Sequence, residues 1–384
     1  MEKITTSCFF FRSVMAGGQL LTLCQALFEP FLQDSPAGRN RAIILHIIKV
    51  DREIERPENS WRNHIKQNYM MQKKVDVLIN VFAKPYQTAL SLLSLMRHSG
   101  HWIDRIWFVI DRPEGTAFTG RQFVLDMLPN IELYEPQESR WIKHADFSRI
   151  GEESYRHSLR YQYGWEKTDK DWVLIVHNDI NIKGDVVGRL MDSIGEGVAA
   201  GQVGMCWVCP AHHHGLCSPE RYLDYRPGLK EFLSIAAAPK GTVLTDVVNY
   251  MVCPELRRQP WPLPPCRVNE WCALVNMVKA RPLTMPFGEV RPYGSYVFDG
   301  VLKEPLPGEE YLEFKNNLGI VYDIGVSWFR DMHRRGLSCT HVDISPLLDH
   351  WWGVKSRYDD ALYRENELRA RGILESDYGL EFSQ

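Results

Sequence analysis

Apolar residues fall along the chain in two rhythms, and the change between them comes near residue 75. From Val75 to Phe82 the run Val-Asp-Val-Leu-Ile-Asn-Val-Phe is short, mostly apolar and rich in β-branched side chains, as in a strand covered on both faces. Pro85 follows, where a helix can begin because the missing N–H is not needed in its first turn. Ala89, Leu92, Leu93 and Met96 then recur at helical spacing, and Gly100 closes the segment. Further buried-strand runs cover Ile106–Ile110, Ile131–Tyr134, Trp172–Val176 and Val203–Val208. Helical patterns over Arg121–Leu128, Glu152–Tyr163 and Val186–Ile194 separate them. Strands alternating with helices predict an α/β fold: a mostly parallel, Rossmann-like central sheet flanked by helices, joined by right-handed crossovers.

Residues 1–74 stand outside that rhythm and read as an N-terminal extension. It holds a loop signal, Asp34-Ser35-Pro36-Ala37-Gly38, and one apolar run within Arg41–Val50 that suits a strand. Val14 to Phe28 is uncharged, with Lys3 and Arg12 upstream. It contains Gly17, Gly18, Gln19 and Gln25 and falls short of the ~20 apolar residues that span a bilayer, so a membrane-surface helix or a packed extension fits better than a signal peptide. Residues 75–209 form the α/β half. Beyond them Pro254, Pro260, Pro262, Pro264, Pro265, Pro282 and Pro286 punctuate the chain. The stretch 210–358 therefore reads as loops and short strands over one face of the sheet, where a substrate cleft would be built. Residues 359–384 read as a charged helical tail on the surface.

Composition narrows the function classes. A net charge of −3 and 45% hydrophobic residues are ordinary for a globular chain and give no basic excess for nucleic acid. Nine scattered Cys fit reduced thiols and a cytoplasmic protein, with membrane association through Val14–Phe28 left open.

In open parallel sheets ligands bind beyond the carboxyl ends of the strands. Those ends are Asn80 to Lys84, Asp111, and His177-Asn178-Asp179-Ile180-Asn181. In the last, five apolar residues run into a carboxylate with a second oxygen ligand two residues on. That pattern suits a hard divalent cation, Mn²⁺ or Mg²⁺, with Asp179 as the direct ligand and Asn181 as a weaker one; a polar turn is the plain alternative. Lys84 can touch donor phosphates, although a solvated Lys before a helix is the more common case.

The order strand, helix, strand ending in Asp111, then Trp-Val-Leu-Ile-Val-His-Asn-Asp-Ile-Asn-Ile resembles the GT-A glycosyltransferases, especially glycosyltransferase family 2, over about residues 75–352. The resemblance makes Asn178-Asp179 the Asp-x-Asp-like metal motif and puts Asp111 where the nucleotide base is contacted. Downstream, Tyr322-Asp323 is followed by a basic segment with Arg334-Arg335-Gly336, then Cys339-Thr340-His341-Val342 and Asp349-His350, similar to the end of a family 2 catalytic region. It implies Asp323 as catalytic base and His350 as a phosphate or metal contact. Tyr322 stands where the family has Glu, and Gly325 replaces its second acid. The resemblance also makes residues 75–209 the nucleotide-sugar-binding half and 210–358 the acceptor-side and catalytic half, and the activity implied is metal-dependent, inverting transfer from a nucleotide-sugar donor to a glycan or lipid-linked acceptor.

Rivals remain. Glu270, in Asn269-Glu270-Trp271, is the second candidate base, with a surface charge slightly preferred; Glu289 is a weaker third. Cys206-Trp207-Val208-Cys209, His212-His213-His214 and Cys217 have the residue types of a zinc site. Cys206 falls in the predicted strand Val203–Val208, however, where Cys packs as a small hydrophobe, and a second evenly spaced pair is missing. The His residues then read as a loop over the cleft. The alternative functions are a zinc-stabilised interaction protein and a GT-A relative that has lost catalysis.

Overall fold

A computed structural model describes residues 75–111, 128, 130–138, 143–204, 206, 209–227, 231, 234–235, 266–302, 318–351 and 360–382. All lie in the unit that runs from Arg56 to Gln384. The extension 1–74, the helix over Arg121–Leu128 and the prolines 254–265 lie outside the described residues, save Leu128 itself. Among the described residues no helix is long and apolar enough to cross a membrane.

The expected α/β architecture is present. Strands β1 (Val75–Val81), β2 (Ile103–Ile110), β3 (Ile131–Tyr134) and β4 (Trp172–Val176) run parallel, with helix α1 (Pro85–Ser99) crossing from β1 to β2. All seven residues of β1 are buried, which is why its run shows no polar alternation. Two short helices, α2 (Glu153–His157) and α3 (Gln162–Lys167), precede β4. The short β5 (Ile180–Ile182), α4 (Val186–Ile194) and β6 (Ala199–Val203) follow it, and α5 (Pro210–His213) comes next.

Two further sheet strands come from the proline-rich half: β7 (Val268–Asn276) and, after α6 (Met277–Ala280), the β8 (Val297–Leu302) and β9 (Leu318–Tyr322) pair and α7 (Val326–Arg334), β10 (Cys339–His341). The seven-stranded order is β10-β6-β7-β4-β1-β2-β3. Strand β7 is antiparallel to both neighbours, β4 and β6, so its first residues share an edge with the carboxyl ends of the others. Finally β11 (Leu348–His350) pairs antiparallel with β5, and α8 (Asp360–Tyr378) packs on α1.

Several boundaries differ from the sequence reading, each for a tertiary reason. The helix expected over Glu152–Tyr163 ends at His157, and the chain turns helical again only after Tyr161, which sits at φ 63°. Its N–H donates to Asn80 Oδ1 at 2.8 Å, tying the break to the end of β1. A methyl on Gly164 would stand 2.5 Å from Leu78 Cδ2 and 2.7 Å from Trp107 Cβ, so α3 lies directly on the sheet. The strand expected to reach Val208 stops at Val203. There Asn269 Nδ2 donates to the carbonyls of Gln202 and Gly204, both at 2.9 Å, and Gly204 turns the chain at φ 80°. In α7, Trp328, Phe329 and Met332 are buried, at i, i+1 and i+4, and Arg330 is buried with them. Its guanidinium lies 4.9 Å from the Tyr322 ring centroid instead of in solvent.

The tail helix is likewise not a surface appendage. Ala370, Leu374 and Tyr378 are buried, and Glu367 accepts the first-turn N–H groups of α1, from Tyr86 at 3.1 Å and Gln87 at 3.1 Å. A carboxylate there satisfies orphan donors and complements the helix dipole. Beside it Tyr363 Oη accepts the Lys84 N–H at 3.1 Å.

Asp76, inside β1, shows how a buried acid is tolerated. Trp107 Nε1 and Thr168 Oγ1 donate to its Oδ2 at 2.8 and 2.7 Å, while Oδ1 has no partner. Burial raises its pKa despite those two hydrogen bonds. A carboxyl raised on folding favours the native state below its unfolded pKa and loses that contribution as pH rises through the folded value. Asp76→Asn keeps both hydrogen bonds and cannot ionise. Urea melts at pH 4 and pH 7 should therefore show the variant gaining on the parent at the higher pH; an equal difference at both would refute this account.

Candidate active site

The site grows from the place where the chain leaves β4. After Val176 the backbone no longer follows the main sheet. His177 still donates its N–H to Trp271 O at 3.0 Å, but Ile180 belongs to the small sheet with β11, where it faces His350. Ser91 Oγ of α1 donates to Ile180 O at 2.6 Å and accepts its N–H at 3.0 Å, which fixes β5. The turn His177-Asn178-Asp179 is held at both ends, and β11 carries His350 up to it.

Asp179 is 4% exposed. Its Oδ2 pairs with Lys84 Nζ at 3.0 Å. Its Oδ1 has no hydrogen bond and faces His177 Nδ1 at 3.6 Å and His350 Nε2 at 3.5 Å. One ligand atom from each of His177, Asp179 and His350 lies within 4.8 Å of the others, which makes them a group able to hold a divalent metal ion. Burial works against the Asp179 charge, yet Lys84, His177 and His350 outweigh it and hold the carboxyl well below its ordinary range. Trp271 stacks on the His350 ring, centroids 5.2 Å apart and planes at 12°, so the imidazole is fixed by packing. Lys84 itself is held in an unusual backbone: it and Ala83 have φ of 56° and 52°, a left-handed pair that non-glycine residues rarely adopt.

Reversal of β7 brings in a second group. Glu270 is buried, contrary to the surface reading, because its strand enters the sheet at the site edge. Its Oε2 accepts from Arg267 Nη2 at 2.9 Å, and its Oε1 stands 3.8 Å from His177 Nε2. The same Arg267 Nη2 reaches Asp323 Oδ2 at 3.0 Å, and Arg267 Nε donates to Ile324 O at 2.7 Å. Two carboxylates thus share one guanidinium. Burial would raise Glu270, but Arg267 and His177 outweigh it and hold it below its usual range. Burial and the Glu270 charge push Asp323 up against the pull of Arg267. The Asp323 side chain is 41% exposed, whereas that of Glu270 is 9% exposed.

The remaining sequence candidates have definite places. Asp111 is buried and pairs with Arg160 Nε at 2.8 Å; burial raises its carboxyl against that partner. Asn80 holds Tyr161, as described. Asn178 turns to the β1–α1 loop, donating to Thr88 Oγ1 at 3.0 Å and Ala83 O at 3.4 Å. Asn181 sits in β5 opposite Asp349. Lys84 is 8% exposed and not a solvated side chain. Glu289 lies outside, on Arg335, with its side chain 90% exposed. Sequence reasoning missed His177 as a ligand, because it looked two residues after Asp179 and not two before. It also missed Arg160, for which no signal existed, and Arg267, three residues before an acid at a strand entrance.

No family model matches the chain, and no curated protein sequence matches it. Among solved structures, the galactosyltransferase LgtC, in complex with donor and acceptor sugar analogues, is 12% identical, with 53% of this chain and 58% of that chain covered and a TM-score of 0.27. Core-mannan synthase A (CmsA/Ktr4) from Aspergillus fumigatus, in an Mn/GDP form, is 9% identical over 55% of this chain and 61% of its own, with a TM-score of 0.30. The mannosyltransferase Ktr4p from S. cerevisiae is 11% identical over 64% and 73%, with a TM-score of 0.27. The chain spans less than two-thirds of LgtC, and likenesses of this size carry no conclusion about activity.

Proposed function

We propose that this chain is a metal-dependent glycosyltransferase that moves a sugar from a nucleoside-diphosphate sugar to an acceptor hydroxyl, on a glycan or lipid-linked acceptor, with inversion at the anomeric carbon. The observation that carries the reading is the Asp179 corner: a buried, ionised carboxylate with one oxygen left without a hydrogen bond between two imidazoles, at the carboxyl edge of a parallel sheet. The donor set fits a divalent ion of the Mn²⁺ kind better than Mg²⁺, because two of the three ligands are nitrogen. When bound, such an ion supplies positive charge against a leaving pyrophosphate. The resemblance of the segment from Tyr322 to His350 to the end of a family 2 catalytic region supports the same reading.

In this reading His177, Asp179 and His350 hold the ion, and Lys84 adds a second positive charge at the donor phosphates. Asp111, pinned by Arg160, bounds the nucleotide end. Asp323 takes the proton of the acceptor hydroxyl. Arg267 sets the charge of that carboxylate and keeps Glu270 as its buried counter-ion.

A thermal-shift screen of nucleoside diphosphates and their sugars, with Mn²⁺, Mg²⁺ or chelator, tests the proposal. The right donor at about a hundred times its Kd stabilises the fold by ~2.7 kcal/mol, with Mn²⁺ and less with Mg²⁺. If no nucleotide shifts the melting temperature in the presence of either ion, the proposal fails.

A further inference from the structure

Beyond the sheet edge, the loop after β6 gathers sulfur. Gly204 turns the chain out of β6, so Cys206 does not lie in a buried strand; it is half-buried in a loop, as are Cys209 and Cys217. These three, with His212 and Cys266, line one small cavity closed by Val203, Pro219 and Tyr222. None of the cysteines is in a disulfide. The backbone is already turned for ligation: Cys209 N–H donates to Cys206 O at 3.2 Å, closing a Cys-x-x-Cys turn, and His213 N–H donates to Cys209 O at 3.1 Å. His212 Nδ1 lies 3.2 Å from Cys217 O, the bond that orients an imidazole to offer its Nε2.

We infer that Cys206, Cys209, His212 and Cys217 form a structural zinc site, separate from the Asp179 corner. The chemistry is that of a closed tetrahedral Cys₃His centre, in which soft thiolates and one imidazole select zinc over the hard ions. The ligand atoms ring the cavity more loosely than those of His177, Asp179 and His350, the group among the described residues that meets within 4.8 Å. Binding draws the loop in until each sulfur is ~2.3 Å from the metal, and the three thiols release their protons. Cys266 sits on the cavity wall beside Arg267 as a lining residue. The inference does not depend on the proposed activity, since no ligand is shared.

Cobalt(II) titration of the full chain tests it. A thiolate-to-cobalt charge-transfer band saturating at a single cobalt per chain, displaced by Zn²⁺, is expected. Cys266→Ser should keep the band, and Cys209→Ser should lose it. Should Cys209→Ser fail to fold, alkylation of the parent chain read by mass spectrometry decides: Zn²⁺ should protect Cys206, Cys209 and Cys217. No thiolate band, a band lost in Cys266→Ser, or unchanged labelling of the three cysteines would overturn the assignment.

Discussion

Asp179→Asn is expected to abolish Mn²⁺-dependent stabilisation by nucleotide and to weaken the ligand-free fold as well. The first effect follows from the site: an amide supplies a neutral oxygen where an anionic ligand stands between two imidazoles. The second follows from Lys84, whose ammonium is buried against Asp179 at 3.0 Å. Removing one member of a buried pair leaves the other charged and uncompensated, at a cost of about 3–5 kcal/mol. A double substitution separates the two effects. Lys84→Met placed on Asp179→Asn should restore most of the stability in urea melts and none of the metal-dependent nucleotide binding. An Asp179→Asn protein that binds Mn²⁺ and nucleotide like its parent would move the donor site elsewhere.

Asp323→Asn and Glu270→Gln should divide the work of the two acids. Both touch Arg267, but only Asp323 is open to an incoming hydroxyl. Loss of a general base lowers turnover by ~10²–10⁴-fold, so Asp323→Asn should lose kcat on that scale with nucleotide affinity nearly unchanged. Glu270→Gln should keep most of its rate and lose stability, because Arg267 is buried and gives up an ionic partner. Direction of titration adds a further readout. A base must be ionised, and Asp323 is raised above the ordinary carboxyl range. The kcat–pH profile should therefore fall on the acid side at a pH above ~3.9, the free aspartate value. If Glu270→Gln loses turnover and Asp323→Asn retains it, the roles are reversed.

What the sequence disclosed follows from how each element is buried. Strands β1, β2 and β4 are covered on both faces, so their apolar runs announce them and their ends announce Asp111 and Asp179. Strand β7 is just as buried, but its entrance carries Asn269, Glu270 and Trp271 because it starts at the site. Those polar residues at its entrance erase the strand pattern. The same reversal explains why Glu270 looked like a surface charge. His350 was reached through the resemblance of the last segment to a known catalytic region; no local spacing links it to Asp179, which lies across the β5–β11 pairing. Arg160 had no signal at all, since an arginine in a polar stretch gains its role only from Asp111 on another strand. The break at Tyr161 likewise depends on Asn80, far away in the chain.

Chains leave the ribosome N-terminus first, a few residues each second. Strand β1, helix α1 and the turn at Asp179 are therefore synthesised well before α8. Until then the N–H groups at the start of α1 lack Glu367, and the Lys84 N–H lacks Tyr363. The left-handed pair Ala83–Lys84 costs on the order of 1–3 kcal/mol per residue and is unsupported by those contacts in the nascent chain. This corner stays unset until α8 docks, and only then is the Lys84 backbone held in place. Docking of one late helix thus sets the geometry beside Asp179.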